Sequence, residues 1–184
     1  MALLIPLAQV DATLIEELLD AAFGSDRHAR TAYRIRDGVD WLEALSFAAL
    51  DEDEMLAGTI QCWPVALISP DGKPHPLVMV GPVAVLPGLQ GEGFGKALMA
   101  AALHAIDSGF EQGAPPLPQV MIGDEPYYGR WGFSAQHTGG WHCPGPFAQD
   151  RLLVRTGNPA ILPAQGMLGP WPASLASADA SGNG

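Results

Sequence analysis

The chain has 184 residues, 48% of them hydrophobic, and carries 20 acidic against 9 basic side chains for a net charge of −11. That apolar content excludes global disorder, and the length suits one domain. A scattered acidic excess provides no basic face for phosphate, so neither DNA nor RNA is the expected partner; it suits a cationic amine substrate, or plain solubility.

The opening run Ala2–Leu7 predicts a short strand. Asp11 is a good N-cap for a helix over Ala12–Phe23, with Leu14, Leu18, Leu19 and Ala22 on one face and Gly24 as the stop. Arg27–Gly38 reads as a second, shorter helix or an irregular segment. It holds Arg27, Arg30, Arg34 and Arg36, which read as a solvated helix face. Ala44–Leu67 reads as an antiparallel hairpin turning at Asp51–Glu54, followed by a loop over Ser69–Pro76. Leu77–Pro87 is a strand interrupted at Gly81-Pro82, where the missing amide predicts a bulge or a splayed edge.

Phe94–Asp107 predicts a helix closed by Ser108-Gly109. Leu117–Glu125 predicts a buried strand, Pro126–Arg130 a helical turn, Trp131–Thr138 a strand, and Asp150–Arg155 the last strand. Beyond Thr156 the composition turns to Gly, Pro, Ala and Ser. Residues 1–156 are therefore expected to form one domain and 157–184 a tail. Its apolar stretch Ile161–Trp171 is able to dock on a surface, such as a second subunit in a homodimer. The order of elements predicts an α/β or α+β fold with a mixed, mostly antiparallel sheet of six or seven strands and flanking helices. One crossover through the Phe94 helix should set two strands parallel.

Cys62 and Cys143 allow at most one disulfide, so a reducing compartment is expected. The N-terminal stretch lacks a basic region and is broken by Pro6, and no segment approaches a membrane span in length. The expectation is a cytoplasmic protein without a membrane partner.

Between the Leu77–Pro87 strand and its helix stands Gln90-Gly91-Glu92-Gly93-Phe94-Gly95-Lys96, with glycine at alternate positions. Two readings are open. Bare amides at a helix N-terminus can hold a phosphate or pyrophosphate, or the helix packs tightly on its sheet and needs glycine for space. The P-loop pattern fails because Ala97 follows Lys96, and the dinucleotide pattern fails on glycine spacing.

The run Val85-Leu86-Pro87 followed by Gln90-Gly91-Glu92-Gly93-Phe94-Gly95 resembles the acetyl-CoA motif of the GNAT superfamily of N-acetyltransferases, Q/R-x-x-G-x-G/A after a strand ending V-x-P. Downstream, Tyr128-Gly129-Arg130-Trp131-Gly132-Phe133 is similar to that family's Y-x-x-x-G-F element. The order of elements also matches, over roughly Leu3 to Arg155. Within the superfamily, Leu45–Leu50, Trp63–Leu67, Gly81–Pro87 and Gly123–Phe133 look most like the bacterial YhbS-type predicted acetyltransferases.

The resemblance implies an N-acetyltransferase that moves an acetyl group from acetyl-CoA to an amine acceptor by direct attack in a ternary complex, with no metal. In the family two parallel strands splay, and the pantetheine arm lies in the gap. The resemblance then implies that the backbone of Val83, Ala84 and Val85 pairs with that arm. A backbone amide there, at Val83 or its neighbours since Pro82 has none, would polarise the thioester carbonyl. The amides of Gln90, Gly91, Glu92, Gly93, Phe94, Gly95 and Lys96 would hold the pyrophosphate. For Lys96 a direct charge contact and a solvated first-turn lysine are both open. Tyr128 sits where the family's thiolate-protonating tyrosine sits, which would turn Tyr127 into the core.

No Asp or Glu occurs over Leu77–Leu86, where many family members carry a glutamate, which puts a direct carboxylate base in doubt. Asp124 and Glu125 are the nearest carboxylates by motif; Asp124 reads better as an N-cap, and a chain of waters is the expected route for the proton. One of Arg27, Arg30, Arg34 and Arg36 can alternatively bind a substrate carboxylate, since this region borders the acceptor pocket in the family. His137, His142 and Cys143 fit no zinc spacing, and no Ser or Cys lies in a nucleophile elbow. Trp63, Trp141 and Trp171 can line a pocket, with core or surface packing as the default. A non-catalytic acyl-CoA-binding regulatory module and a protein or peptide amine acetyltransferase are the competing functions.

Overall fold

Asp11 accepts a hydrogen bond from the Thr13 amide at 2.8 Å, and the chain leaves the helix at Gly24 with φ 92°, so α1 runs from Ala12 to Phe23 between cap and stop. The computed structural model describes residues 2–109 and 115–172. Its strands are β1 (Leu3–Pro6), β2 (Phe47–Leu50), β3 (Leu56–Ile68), β4 (Pro74–Val85), β5 (Gln119–Ile122), β6 (Trp141–His142), β7 (Leu152–Arg155) and β8 (Gly166–Pro170). The helices are α1, α2 (Thr31–Ile35), α3 (Phe94–Ser108) and α4 (Glu125–Tyr128).

The strand order is β1-β2-β3-β4-β5-β7, with β8 pairing both β3 and β6. The sheet is mixed and mostly antiparallel. Its parallel β4–β5 ladder has two rungs, Val78↔Gln119 and Met79↔Val120, while β5 pairs along its whole length with β7. The sheet thus has eight strands among the described residues, more than the six or seven expected. Among the same residues no helix is long and apolar enough to cross a membrane.

The chain divides into two compact units. The first holds β1, α1, β2, the start of β3, the end of β4 and α3. Its core joins Leu7, Ile15, Leu18, Leu19, Ala48 and Ala84. Each fully buried aliphatic side chain contributes about 1.5–3 kcal/mol of transfer free energy. The buried face of α1 is Ile15, Leu18 and Leu19, with Leu14 49% exposed. The expected face was thus off by one position, because both residues are apolar and only Ile15 sits three before Leu18. Arg27 is not solvated. It is 2% exposed, bonds Asp20 at 2.9 Å and also bonds Glu16, so two carboxylates one turn apart on α1 neutralise it.

The second unit holds α2, the end of β3, the start of β4, β5, α4, β6, β7 and β8. Its core gathers Ile35, Val65, Leu67, Leu77, Met79, Val120, Trp141, Leu152, Val154 and Leu168. Trp141 is fully buried and donates its indole N–H to the Pro163 carbonyl at 2.8 Å. Arg36, also expected in solvent, is 5% exposed, and its guanidinium lies 4.2 Å from the ring centres of both Tyr33 and Trp63. Aromatic faces replace part of its hydration.

Two expectations fail in this unit. Trp131–Thr138 is not a strand: a 3-10 turn ends at Trp131, and the rest makes a single bridge, Ser134↔Val154. Asp150–Arg155 is not the last strand either. Residues 166–170, expected in the tail, form β8, which pairs antiparallel with β3 from Val65↔Pro170 to Ile68↔Met167 and buries Leu168. Its glycines permit this. A Cβ at Gly166 would lie 2.6 Å from Leu67 Cγ, so composition that resembles a linker serves close packing. The remainder of the expected tail, 173–184, lies outside the described residues. At Gly81-Pro82, expected as a bulge or a splayed edge, there is a cis peptide within an otherwise continuous β4, and the β4–β5 rungs end before it at Met79↔Val120.

Candidate active site

The glycine loop begins at Gln90 and ends in α3. Gly91 and Gly93 have φ of +87° and +93°, a left-handed backbone that costs an L-residue roughly 1–2 kcal/mol. A Cβ at either would meet nothing within 4 Å, so packing does not explain these glycines; backbone conformation does. At Gly95 a Cβ would make ordinary contacts of 3.8 and 4.0 Å with Val85 and Val83. The tight-packing reading of the loop therefore fails.

Gly93 is the N-cap of α3 and supplies no side-chain cap. The first intrahelical bond is Ala97 N–H to the Gly93 carbonyl at 3.0 Å, which leaves the amides of Phe94, Gly95 and Lys96 without an intrahelical acceptor. Glu92 and Lys96 are exposed, and Phe94 is buried. Beside the helix start is a pocket of about 490 Å³ whose walls include Asp51, Glu52, Asp53, Glu92, Gly93 and Phe94. Carboxylates at a helix N-terminus satisfy its dipole, so the loop offers amides on an acidic flank. Asp51 is engaged in its own turn, accepting the amides of Asp53 and Met55 at 2.9 Å each.

The β4 segment ahead of the loop has a definite polarity. The Leu86 amide donates to the Ala57 carbonyl of β3 at 2.9 Å. Backbone direction alternates along a strand, so the Ala84 amide also points to β3, and those of Val83 and Val85 point to the opposite edge. The Val85 carbonyl accepts a long 3.5 Å bond from the Gln90 side chain, consistent with that direction. Of the three residues expected to meet the cofactor arm, Val83 and Val85 present backbone groups away from β3, and Ala84 does not.

Tyr128 closes α4, which follows β5 after Gly123-Asp124. Its ring lies against the Gly123 backbone, where an added Cβ would stand 2.6 Å from Cε2 and 2.7 Å from Cδ2. The ring is half-buried and meets Tyr127 edge-on with centroids 4.9 Å apart. Its hydroxyl makes no hydrogen bond among the described residues. Burial is the main cause that raises the Tyr128 pKa above the ordinary phenol value. Electrostatic interaction with the neighbouring Tyr127 and Asp124 adds to it, and the Arg151 guanidinium opposes it. The phenol is protonated at neutral pH.

Tyr127 does not enter the core. It is 37% exposed, packs on Trp131 at 5.4 Å and lies under the Arg130 guanidinium at 4.5 Å. Gly132, at φ +92°, ends the turn in the left-handed region, and Phe133 beyond it is 1% exposed. That accounts for glycine followed by phenylalanine at the end of the motif.

Neither nearby carboxylate is unengaged. Asp124 occupies the N-cap position of α4 without a side-chain cap bond, and pairs with Arg151 at 3.0 Å. Glu125 accepts the Ala135 amide at 3.2 Å. On β7, Arg155 bonds the Trp131 carbonyl at 3.0 Å and Gln119 at 2.7 Å, bracing the turn from below. Gly123, Arg151 and Arg155 escaped the sequence reading. A glycine directly after a buried strand and before the tyrosine turn was the available signal for the first; the arginines carried none.

Among the described residues no three His, Cys, Asp or Glu side chains form a metal-binding group, so His137, His142 and Cys143 do not assemble one. Both cysteines are free and buried.

The sequence model of the acetyltransferase (GNAT) family matches residues 12–116. The GNAT family N-acetyltransferase YhbS of Escherichia coli, solved in complex with CoA, superposes with a TM-score of 0.67 and 25% identity, over 92% of this chain and 89% of its own. A GNAT family acetyltransferase of Brucella melitensis, solved in complex with acetyl-CoA, superposes with a TM-score of 0.62 and 25% identity, over 95% and 98%. No curated protein matches the chain. The family match spans more than half of the sequence and includes the glycine loop and α3, and the chain belongs to the acetyltransferase (GNAT) family.

Proposed function

We propose that the protein is an N-acetyltransferase that takes the acetyl group of acetyl-CoA and passes it directly to a primary amine. The observation that carries this reading is Tyr128: a phenol held protonated, its ring fixed on Gly123, its hydroxyl without a hydrogen-bond partner among the described residues. A tyrosine serving only to pack would normally place that hydroxyl on a backbone carbonyl. The two CoA-bound relatives support the choice of donor.

In the reaction the neutral amine attacks the thioester carbonyl. A C–N bond forms, the C–S bond breaks, and the nitrogen gives up its one surplus proton. The Val83 amide, directed away from β3, stabilises the developing oxyanion. The amides at the start of α3 hold the pyrophosphate, with Lys96 as the single cation of the loop. Tyr128 donates its proton to the departing thiolate and is reprotonated by the proton lost from nitrogen. With Asp124 paired to Arg151 and Glu125 bonded to Ala135, waters carry the ammonium proton away.

The test is twofold. Acetyl-CoA should raise the melting temperature by the linkage RT ln(1+[L]/Kd), and Gly93→Asp should abolish that rise, because it puts a carboxylate at the pyrophosphate amides. An amine panel should then give amine-dependent release of CoA thiol. Undiminished binding by Gly93→Asp overturns the loop assignment. Binding without transfer to any small, peptide or protein amine identifies a regulatory acyl-CoA module instead.

A further inference from the structure

The contacts that hold Tyr128 lead back to one residue at the start of β7. The last registered pair of β5 and β7 is Ile122↔Leu152, and the ladder runs one step further: Gly123 donates its amide to the Arg151 carbonyl at 2.9 Å. Arg151 is itself fixed there. It closes the 3-10 turn Gln149–Arg151, with its own amide on the Ala148 carbonyl at 3.0 Å. Its guanidinium extends one residue along the facing chain, to Asp124, with Nε 3.0 Å from Oδ1. Arg151 thus holds two successive residues, one by its backbone and the next by its side chain.

Both residues bear directly on the tyrosine. The Gly123 backbone is the surface on which the Tyr128 ring lies. The Asp124 carbonyl accepts the amides of Tyr127 at 3.0 Å and of Tyr128 at 2.9 Å. α4 is only four residues long, too short to fix its own direction, and the Asp124 side chain makes no cap bond to it. The direction of the turn is set from outside, by β7. At its far end Arg155 holds the Trp131 carbonyl at 3.0 Å, so the segment from Gly123 to Trp131 is tied to both ends of one strand.

We infer that Arg151 is a positioning residue for acyl transfer: it fixes Asp124, and through Asp124 the backbone and ring of Tyr128, where the phenol gives up its proton. This rests on the reading of Tyr128 as the acid. The charge acts in the same sense. Tyr128 is a phenolate between giving its proton to the thiolate and regaining one from the nitrogen, and the guanidinium is the group that favours the ionised ring against burial, Tyr127 and Asp124. The ion pair is 49% and 71% exposed on its two sides, so it adds little to stability, and its removal should be felt in the rate.

Arg151→Met removes the donors and the charge and keeps an unbranched side chain. It should lower kcat for amine-dependent thiol release about tenfold, less than the roughly 100-fold of a full 1 Å misplacement because the Gly123–Arg151 backbone bond survives. The amine KM, the acetyl-CoA melting shift and the melting temperature should stay near those of the parent. In a Tyr128→Phe background Arg151→Met should cost nothing further, because both changes act on one group. Without any substrate, the amides of Tyr127 and Tyr128 should exchange hydrogen about fivefold faster in Arg151→Met, the upper worth of an exposed ion pair. A kcat within twofold of the parent overturns the proposal, as does unchanged exchange at both amides. A tenfold loss repeated in the Tyr128→Phe background also overturns it, since Arg151 would then act on something other than the acid. A parent that transfers nothing sinks the acyl-transfer reading instead, and faster exchange would then leave Arg151 as an anchor of the turn alone.

Discussion

Replacing Gly123 by Ala tests whether the position of Tyr128 matters as well as its identity. The new methyl would stand 2.6–2.7 Å from two ring carbons, where van der Waals contact starts near 3.4 Å. The ring must therefore retreat by roughly 1 Å, since the obstacle is attached to backbone at the end of β5. The ring is half-buried and can swing outward, so stability should fall by only about 1 kcal/mol, the low end for overpacking. Catalysis has less tolerance: a misplacement of about 1 Å can cost about 100-fold in rate. The expected result is a 10- to 100-fold lower kcat for amine-dependent thiol release, with an unchanged acetyl-CoA melting shift. A Gly123→Ala enzyme with kcat within twofold of the parent would refute the claim that this glycine sets the acid's position. A lost melting shift would place the damage in donor binding instead.

Tyr128→Phe should keep acetyl-CoA binding and lower kcat by about 10²–10⁴, the usual contribution of general acid catalysis, with Tyr127→Phe as a near-silent control; equal losses from both would indicate packing of the turn. Truncation after Thr156 removes β8 and with it Leu168, 1% exposed, so it should lower the melting temperature by several degrees or yield insoluble protein, and an unchanged melt would contradict the pairing of β8 with β3. Burial pushes the Cys62 thiol up to about 12 and Cys143 up to about 11, so neither should react with an alkylating agent at pH 8 unless the protein unfolds. Unfolded thiols ionise near pH 9 and the folded ones at 11–12; the folded state binds more protons in that window, and stability should fall as pH rises through it.

Where local chemistry decides structure, the sequence was informative. Asp11 and Gly24 bracket α1, and the alternate glycines mark a backbone that turns left-handed twice before α3. Where distant partners decide it, the sequence was not. Arg27 and Arg36 read as solvated because a basic run gives no sign that Glu16, Asp20, Tyr33 and Trp63 will surround two of its members. The motif singled out Tyr128 as a candidate, but the glycine beneath its ring became visible only in space. Residues 166–170 failed for a related reason: glycine and proline mark turns in isolation, yet here they allow a strand to approach Leu67 closely.

The late position of β8 has a consequence for how the protein is made. Every element of the first unit has been synthesised once α3 is complete at Ser108, so that core can close before the second unit has all of its strands. The second unit cannot do the same. Val65, Leu67, Leu77 and Met79 are synthesised before α3, but their packing partners Leu152, Val154 and Leu168 come last. At about 5–20 residues per second, the 60 residues from Gly109 to Leu168 take roughly 3–12 s. Throughout that interval an apolar strand pair waits without its cover, long enough for non-specific collapse on a microsecond scale or for capture by a holdase. The nascent chain is therefore most vulnerable to aggregation in its middle, at residues that the finished protein keeps among its most deeply buried.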